Sequence, residues 1–206
     1  MRKTLRLGVM GGTFDPIHYG HLVTAEEALV QFNLDRVVFM PTGNPVRKTH
    51  RHVSSAEDRY LMTVIATASN PDFEVSRLEV ERPGETYTVD TMISLRDMCG
   101  PKAELFFITG ADAVREILTW KDTERVAELC TFIAATRPGF ELDLLAGAPD
   151  GGVRLPRVEY MEVPALAISS SEIRARVSSR RPVRYLLPEA VSAYIEKNGL
   201  YREPVL

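Results

Sequence analysis

Apolar residues recur along the chain in short runs that predict buried β-strands. The first run consists of Leu5, Leu7, Val9 and Met10. Five further runs occupy residues 34–40, 73–80, 104–109, 131–135 and 158–163. The run at 104–109 is apolar almost throughout, which is typical of a strand buried on both faces of a parallel sheet. The run at 73–80 alternates instead, and predicts a strand with one wet face near a sheet edge.

Apolar positions three and four residues apart predict amphipathic helices between these strands. The inward stripes are Leu22, Ala25, Leu29 and Phe32; Leu61, Val64, Ile65 and Ala68; Val89, Met92, Ile93 and Leu95; and Leu187, Val191, Tyr194 and Ile195. Strands that alternate with helices form βαβ units in a parallel sheet. We therefore expect an α/β fold, a Rossmann-like doubly wound parallel sheet forming a single domain over residues 1–206, with a C-terminal helical part at about 169–206.

Composition adds limits to this expectation. The 206 residues are 45% hydrophobic and 26% charged, as in an ordinary globular domain. A net charge of −3 provides no basic field for nucleic acid, and no apolar window approaches the length of a transmembrane span. Cys99 and Cys130 lack metal-site spacing, so we interpret them as free buried thiols. We expect a cytoplasmic protein without nucleic-acid or membrane partners.

The stretch richest in chemical groups connects the first strand to the first helix and reads Gly11-Gly12-Thr13-Phe14-Asp15-Pro16-Ile17-His18-Tyr19-Gly20-His21-Leu22. Glycine lets the backbone approach a ligand, and a helix N-terminus offers free N–H groups to an anion. Asp15 and Pro16 predict a helix N-cap followed by proline in the first helical position. His18 and His21 project from one helix face because they are three residues apart. Together they suit a phosphate under attack, although His21 could instead be a hydrogen-bonded core residue and the glycines a tight turn.

A second motif follows the last predicted strand and reads Ile168-Ser169-Ser170-Ser171-Glu172-Ile173-Arg174. Ser169 and Glu172 predict a capping box, which places Arg174 one turn inside a helix. Hydroxyls, free N–H groups and a guanidinium together form a phosphate site. Ordinary helix capping would explain the serines but not the arginine.

Polar residues also follow other predicted strands, at the edge where α/β sheets bind their ligands. The basic loop at 42–52, which contains Lys48, follows the second strand, and a solvated surface loop is its alternative reading. Gly110 and Asp112 follow the 104–109 strand. A carboxylate there commonly accepts a ribose hydroxyl, although a helix N-cap would also explain it. Arg137 follows the 131–135 strand and could face a substrate in the same way.

Several further residues have an ordinary structural interpretation from their pattern alone. Ser54 and Glu57 predict a capping box, and Thr88 predicts a helix cap. Tyr87 is interpreted as a packing residue. Trp120, the only tryptophan, is interpreted as a core or partly buried side chain.

The Gly-Gly-Thr-Phe-Asp-Pro and His-x-Gly-His elements resemble the signature of the nucleotidyltransferase superfamily of adenylyl- and cytidylyltransferases. From about Leu5 to Tyr201 the chain is similar to the bacterial nicotinate-nucleotide adenylyltransferase family. It departs from the family pattern at Arg47, where histidine is more frequent, and at Ser171, which replaces a threonine and keeps the hydroxyl. The resemblance implies that ATP is condensed with nicotinate mononucleotide to give deamido-NAD and pyrophosphate, in NAD biosynthesis.

The resemblance also implies roles for individual residues. ATP would be bound by Gly11, Gly12, Thr13, Phe14, His18, Gly20, His21, Gly110, Asp112, Ile168, Ser169, Ser170, Ser171 and Arg174. Nicotinate mononucleotide would contact Asp15, Lys48, Thr86, Tyr87, Thr88, Trp120 and Arg137, with the tryptophan stacked on the pyridine ring. The catalytic residues would be His18, His21, Lys48 and Arg174. Mg²⁺ would be bound mainly through ATP phosphates and water rather than by protein ligands, and a homo-oligomer is possible.

Other functions stay open on the sequence. Nicotinamide mononucleotide is the nearest competing acceptor. Phosphopantetheine adenylyltransferases and cytidylyltransferases share part of the signature but do not need the 86–91 segment or Trp120. A module that binds a nucleotide without turnover is the non-enzymatic alternative. A nicotinamide dehydrogenase and a P-loop kinase are disfavoured because the chain has neither the Gly-x-Gly-x-x-Gly fingerprint nor a Gly-Lys-Ser element.

Overall fold

The protein is described here from a computed structural model, which describes residues 4–44, 53–111, 120–136, 157–164 and 166–202. These residues contain a six-stranded sheet in the order β3-β2-β1-β4-β5-β6, and every neighbouring pair of strands is parallel. The strands are β1 (Arg6–Gly12), β2 (Arg36–Pro41), β3 (Phe73–Val75), β4 (Glu104–Gly110), β5 (Thr131–Thr136) and β6 (Val158–Glu162). The predicted Rossmann-like parallel sheet is therefore confirmed.

The strand order reverses between β1 and β4, which pair with each other at the centre of the sheet. Met10 of β1 lies opposite Phe39 of β2 on one side and Ile108 of β4 on the other. In open α/β sheets, such a reversal opens a crevice at the carboxyl ends of the strands, where ligands bind. The glycines that end β1 and the segment that follows them therefore lie at the binding edge of the sheet.

Helices cover the sheet on both faces because neighbouring strand residues point to opposite sides. The described helices are α1 (Tyr19–Gln31), α2 (Ala56–Thr67), α3 (Thr88–Cys99), α4 (Thr123–Leu129), α5 (Ser170–Ser178) and α6 (Glu189–Lys197). One apolar core contains Met10 and Phe39 with residues of α1, α2, α5 and α6. The other contains Val9 and Met40 with residues of α3 and α4. The sheet is thus doubly wound.

The predicted strand at 73–80 is correct only in its first part. Strand β3 ends at Val75, and as predicted it is an edge strand. The chain leaves the sheet after Ser76, whose N–H donates to the carbonyl of Phe39 at 3.0 Å. The residues after Ser76 keep the alternating pattern but turn toward α3 instead of continuing the strand. There the Glu79 carboxylate accepts from the Thr91 hydroxyl at 2.7 Å.

The predicted inward stripe of α2 is wrong. Its apolar members Leu61, Val64 and Ile65 are only partly buried, and Ala68 is exposed. The buried face is instead formed by Arg59, Met62, Thr63, Ala66 and Thr67. The threonines can be buried because their hydroxyls donate to helix carbonyls one turn earlier, at 2.7 and 2.9 Å. The helix N-cap is Ser55, which accepts from the Asp58 N–H at 3.0 Å, rather than the predicted Ser54.

Two details of α3 and of the cysteines also differ from expectation. The N-cap of α3 is Tyr87, so Thr88 is its first helical residue rather than its cap. Ile93 is exposed, and Thr91 is buried on the inner face because its hydroxyl is paired with Glu79. Both cysteines are free as predicted, but only Cys130 is buried and Cys99 is partly exposed.

The C-terminal part of the chain packs as a helical extension on the first core. Leu187, Val191 and Ile195 are buried there as predicted, and Tyr194 is partly buried. The regular helix of this region runs from Glu189 to Lys197. Within the part of the chain that the structure describes, no helix is long and apolar enough to cross a membrane.

Candidate functional site

The segment between β1 and α1, residues 13–18, forms a tight loop that we call the motif loop. Phe14 and Ile17 are almost completely buried and anchor it to the core. The Phe14 ring lies so close to Gly12 that a Cβ there would come within 2.8 Å of it, which explains the requirement for glycine. The predicted N-cap at Asp15 is wrong: the peptide between Asp15 and Pro16 is cis, and the helix begins three residues later with His18 as its N-cap.

The two histidines of the motif stack on each other at the start of α1. Their ring centroids are 3.8 Å apart with an interplanar angle of 27°. The His18 N–H donates to Nδ1 of His21 at 3.2 Å, so the proton of the neutral His21 ring lies on Nε2. His18 is only 6% exposed, and burial lowers the pKa of His18 from 6.5 to about 4. The His18 ring is therefore neutral at neutral pH, and the hydrogen bond accepted at Nδ1 requires a neutral His21 ring.

A cavity of about 620 Å³ opens beside this pair at the carboxyl ends of β1, β4 and β5. Its lining includes most of the described residues predicted to bind ATP, namely Gly11, His18, Gly20, His21, Gly110, Ile168, Ser169, Ser170, Ser171 and Arg174. Of the described residues in that prediction, only Gly12, Thr13 and Phe14 do not line it. A wider depression of about 940 Å³ lies at the amino ends of the strands and contains none of the predicted residues. The smaller cavity is the candidate site because it occupies the switch point.

Helix α5 is fastened directly to the motif loop. Ser169 caps the helix as predicted, since its hydroxyl accepts from the Glu172 N–H at 3.2 Å. The Ser170 hydroxyl donates to the Pro16 carbonyl at 2.8 Å. The Arg174 guanidinium donates to the Asp15 carbonyl, and to the Ser171 hydroxyl at 3.3 Å. The two motifs, far apart in sequence, thus form one continuous surface.

The segment predicted to bind the acceptor lies beside the loop after β2. The Thr86 hydroxyl accepts from the Asn44 N–H at 3.4 Å, and the Asn44 amide donates to the Gly84 carbonyl at 3.1 Å. Gly43 is pressed against this segment: a Cβ there would lie 2.2 Å from the Glu79 carbonyl. This contact explains the glycine and fixes where the two loops meet.

Trp120 packs mainly on the second core. Its ring centroid lies 5.6 Å from that of Phe107 and 6.3 Å from that of Phe132, and its side chain is partly buried. Tyr87 packs on the same core, and the Lys121 ammonium lies 4.3 Å from its ring centroid. The packing predicted for both aromatic residues is confirmed.

The comparisons with known proteins agree with the motifs. The cytidylyltransferase-like family model matches residues 9–176. A Moorella thermoacetica protein named "Probable nicotinate-nucleotide adenylyltransferase" is 56% identical over 202 residues, covering 96% of this chain and 92% of its own length. A Streptomyces coelicolor protein of the same name is 60% identical over 193 residues, covering 94% and 99%. The chain belongs to the nicotinate-nucleotide adenylyltransferase family.

Solved structures support the fold of this family member. The nicotinic acid mononucleotide adenylyltransferase of Plasmodium falciparum complexed with NaAD superposes with a TM-score of 0.76 and 21% identity, over 96% of this chain and 97% of that one. Its complex with APC gives a TM-score of 0.75 with 20% identity over the same shares of the two chains. At this level of identity, the likeness supports the shared architecture alone.

Some predicted family residues lie outside the described part of the chain, namely Lys48, Asp112 and Arg137. Sequence reasoning in turn missed two buried polar residues, Arg59 and Glu79, and the partly buried Tyr201. Arg59 has a visible signal, because it occupies the i position of a buried i, i+3, i+4, i+7 stripe with Met62, Thr63 and Ala66. Glu79 and Tyr201 carry no such local signal, since their partners are remote or lie on another element.

The buried carboxyl group of Glu79 makes the stability of the folded state depend on pH. Burial raises the pKa of Glu79 from 4.5 to about 7, against the hydrogen bond from Thr91. The folded state therefore binds more protons than the unfolded state between these values. The stabilising contribution of the protonated form is complete below pH 4.5 and is lost as the pH rises through 7.

Replacing Glu79 with glutamine is expected to remove this loss, because the amide keeps the acceptor for Thr91 without a charge. The free energy of unfolding of Glu79→Gln should nearly equal that of the unmodified chain at pH 4.5. At pH 8 it should be about 2–3 kcal/mol higher than that of the unmodified chain. Urea denaturation at the two pH values measures the difference. Glu81→Gln, at an exposed ion pair with Arg77, is the matched control and should show no such trend. Parallel curves for Glu79→Gln and the unmodified chain would contradict the assignment.

Proposed function

We propose that this chain transfers the adenylyl group of ATP to nicotinate mononucleotide, forming deamido-NAD and pyrophosphate. The observation that carries the proposal is the stacked His18–His21 pair, which lines one cavity together with Arg174. The names of relatives at 56% and 60% identity supply the identity of the substrates.

The reaction needs no protein nucleophile. An oxygen of the acceptor 5′-phosphate attacks the α-phosphorus of ATP, a new P–O bond forms, and the bond between the α-phosphorus and the bridging oxygen breaks with release of pyrophosphate. A phosphate monoester is already anionic at neutral pH. Catalysis then consists of holding two anions in line and stabilising the charge on the α-phosphate.

The site residues can provide both neutral and positively charged hydrogen-bond donors to the phosphates. His21 directs the N–H at Nε2 away from the bond that its Nδ1 accepts, and we assign this donor to an oxygen of the α-phosphate. His18 acts beside it as a neutral ring because of its burial. Arg174 supplies a positive charge at the α5 terminus, and Lys48 is proposed to add a second from the loop after β2.

The remaining predicted residues divide between the two substrates. We assign the backbone of Gly11, Gly12, Thr13 and Phe14 and the polar groups of α5 to ATP, with Gly110 and Asp112 toward its ribose. We assign Thr86, Tyr87, Thr88, Trp120 and Arg137 to the acceptor, which the contact of Thr86 with Asn44 supports. Asp15 is proposed to act through the loop that it holds, because its carboxylate is 4% exposed and accepts from Tyr201.

We propose that a divalent ion enters the site with the substrate. Among the described residues, no group of three or more His, Cys, Asp or Glu side chains could hold a metal. We therefore propose that Mg²⁺ is bound by ATP phosphate oxygens and water, as expected of an ion that dehydrates reluctantly. When bound, it would neutralise phosphate charge, while the protein groups orient the phosphates.

The test is pyrophosphate release with ATP and Mg²⁺, comparing three acceptors at equal concentration. Nicotinate mononucleotide is expected to be strongly preferred over nicotinamide mononucleotide and phosphopantetheine. A preference for nicotinamide mononucleotide would correct the acceptor and keep the chemistry. Pyrophosphate release with phosphopantetheine alone would overturn the proposal. The absence of release with all three acceptors would also overturn it.

A further inference from the structure

The C-terminal tail after α6 returns to the motif loop. The Tyr201 hydroxyl donates to Oδ1 of Asp15 at 2.7 Å, across a separation of 186 residues in the sequence. The tail is held in place because the Leu200 N–H donates to the Ile195 carbonyl at 3.0 Å. Tyr201 itself has a φ of +62°, an unfavourable backbone conformation for a tyrosine, which its contacts must maintain.

The partner of this tyrosine is the buried carboxylate of the motif loop. Asp15 is 4% exposed, and its second oxygen, Oδ2, lies 3.9 Å from Nη1 of Arg174. The same guanidinium donates to the Asp15 carbonyl. Asp15 therefore joins three parts of the chain: the tail, helix α5 and the loop that leads to His18.

We propose that Tyr201 is a positioning residue that acts through Asp15 on His18 and Arg174, an inference that rests on the proposed function. A buried carboxylate that loses one donor must find another, because an unsatisfied charged oxygen is costly. Without the hydroxyl, the Asp15 side chain rotates toward Arg174 or toward water. This rotation shifts the motif loop, which carries His18, and the guanidinium of Arg174, which faces the phosphates.

The test compares Tyr201→Phe with Tyr194→Phe. Tyr194 is a matched control because its hydroxyl also donates to an aspartate, Oδ1 of Asp58 at 2.8 Å, but on α2 rather than on the motif loop. Both variants lose one tyrosine–aspartate hydrogen bond. For pyrophosphate release, we expect Tyr201→Phe to lower kcat roughly 10-fold with little change in either KM, and Tyr194→Phe to stay within about 2-fold.

A second measurement does not depend on activity. The chain has four histidines, so the imidazole ¹H–¹⁵N resonances of His18 and His21 can be assigned by substitution. We expect these resonances to shift in Tyr201→Phe and to stay unchanged in Tyr194→Phe. If the unmodified chain releases no pyrophosphate, the proposed function fails, while this spectrum still decides whether Tyr201 positions the loop.

A double-mutant cycle shows whether the effect passes through Asp15. In an Asp15→Asn background, adding Tyr201→Phe is expected to lower kcat by less than 2-fold, because the charged acceptor is already gone. A full further 10-fold loss in that background would overturn the route through Asp15. Equal kcat values and unchanged histidine resonances in the two tyrosine variants would overturn the proposal as a whole.

Discussion

Replacing His21 with alanine is expected to lower kcat for pyrophosphate release roughly 10²–10³-fold, as in the loss of one preorganised oxyanion donor. His21 contributes a neutral N–H at Nε2, and contacts on more than one side fix its orientation. Its Nδ1 accepts from the His18 backbone, its ring stacks on His18, and its edge packs on Phe14 at 5.1 Å between ring centroids. Because this donor is already held in place, it needs little reorganisation when charge develops on the phosphate.

The measurement is kcat at saturating ATP and nicotinate mononucleotide, with thermal unfolding to show that the variant folds. Tyr19→Phe is the matched control, because Tyr19 begins the same helix and is 37% exposed. It should keep kcat within about 2-fold. Near-native kcat in a folded His21→Ala protein would show that the pair is structural and would end the proposed mechanism.

The protonation state of the two histidines also predicts how kcat depends on pH. Because the pKa of His18 is lowered to about 4 and His21 Nδ1 accepts an N–H, neither ring needs to be cationic for catalysis. We therefore expect kcat to be insensitive to the titration of an ordinary histidine near pH 6.5. A loss of kcat on raising the pH from 6 to 7.5 would show instead that an imidazolium is required.

The sheet could be predicted from the sequence because its physical cause is local. A central parallel strand is buried on both faces, so β4 and β5 are visible as apolar runs. The constraints on Gly12 and Ser169 are local as well, since they come from residues at most three positions away. The predicted cap at Ser169 is confirmed, whereas Gly11 and Gly12 are the last two residues of β1 rather than a turn.

The errors share one cause, which is burial of polar side chains that are satisfied within the protein. The α2 stripe was misplaced because Arg59, Thr63 and Thr67 are buried with carbonyl partners, and a hydrophobicity pattern counts them as surface. The 73–80 strand was extended too far because Glu79 turns inward to pair with Thr91. In both cases, tertiary hydrogen bonds override the local pattern.

The predicted cap at Asp15 failed for a related reason. Its carboxylate is occupied by Tyr201, which lies 186 residues away, and by the nearby guanidinium of Arg174. No local pattern contains either partner. The two motifs were each recognised as phosphate-binding surfaces, but the hydrogen bonds that join them, such as that from Ser170 to Pro16, become visible only in the folded chain.

Replacing Arg59 with methionine is expected to lower the free energy of unfolding by about 4 kcal/mol, which is large for one substitution. Arg59 is 1% exposed, and in the described part of the chain its guanidinium donates to the backbone carbonyls of four residues. They belong to Ser54 at 3.0 Å, Thr13 at 2.9 Å, Thr42 at 2.6 Å and Gly43 at 2.8 Å. Methionine fills similar space but leaves these buried acceptors without donors.

Charge alone does not replace this arrangement. Burial lowers the pKa of Arg59, and the nearby carboxylate of Asp15 offsets part of that effect. Arg59→Lys keeps a cation but has one ammonium in place of a planar fork, so it cannot reach four carbonyls. We expect it to lose about half as much stability as the methionine variant. An equal loss in both variants would show that the fork geometry, rather than the number of acceptors reached, decides the stability.

Urea denaturation at pH 8 measures these differences, with Arg36→Met as the control. Arg36 pairs with Glu74 on the surface, where an ion pair contributes less than about 1 kcal/mol. Arg59 holds the motif loop at Thr13 and the next loop at Thr42 and Gly43. Its loss should therefore also lower kcat at urea concentrations well below the unfolding midpoint, where the protein is folded. If Arg59→Met were as stable and active as Arg36→Met, the buried guanidinium would not be what joins the two loops.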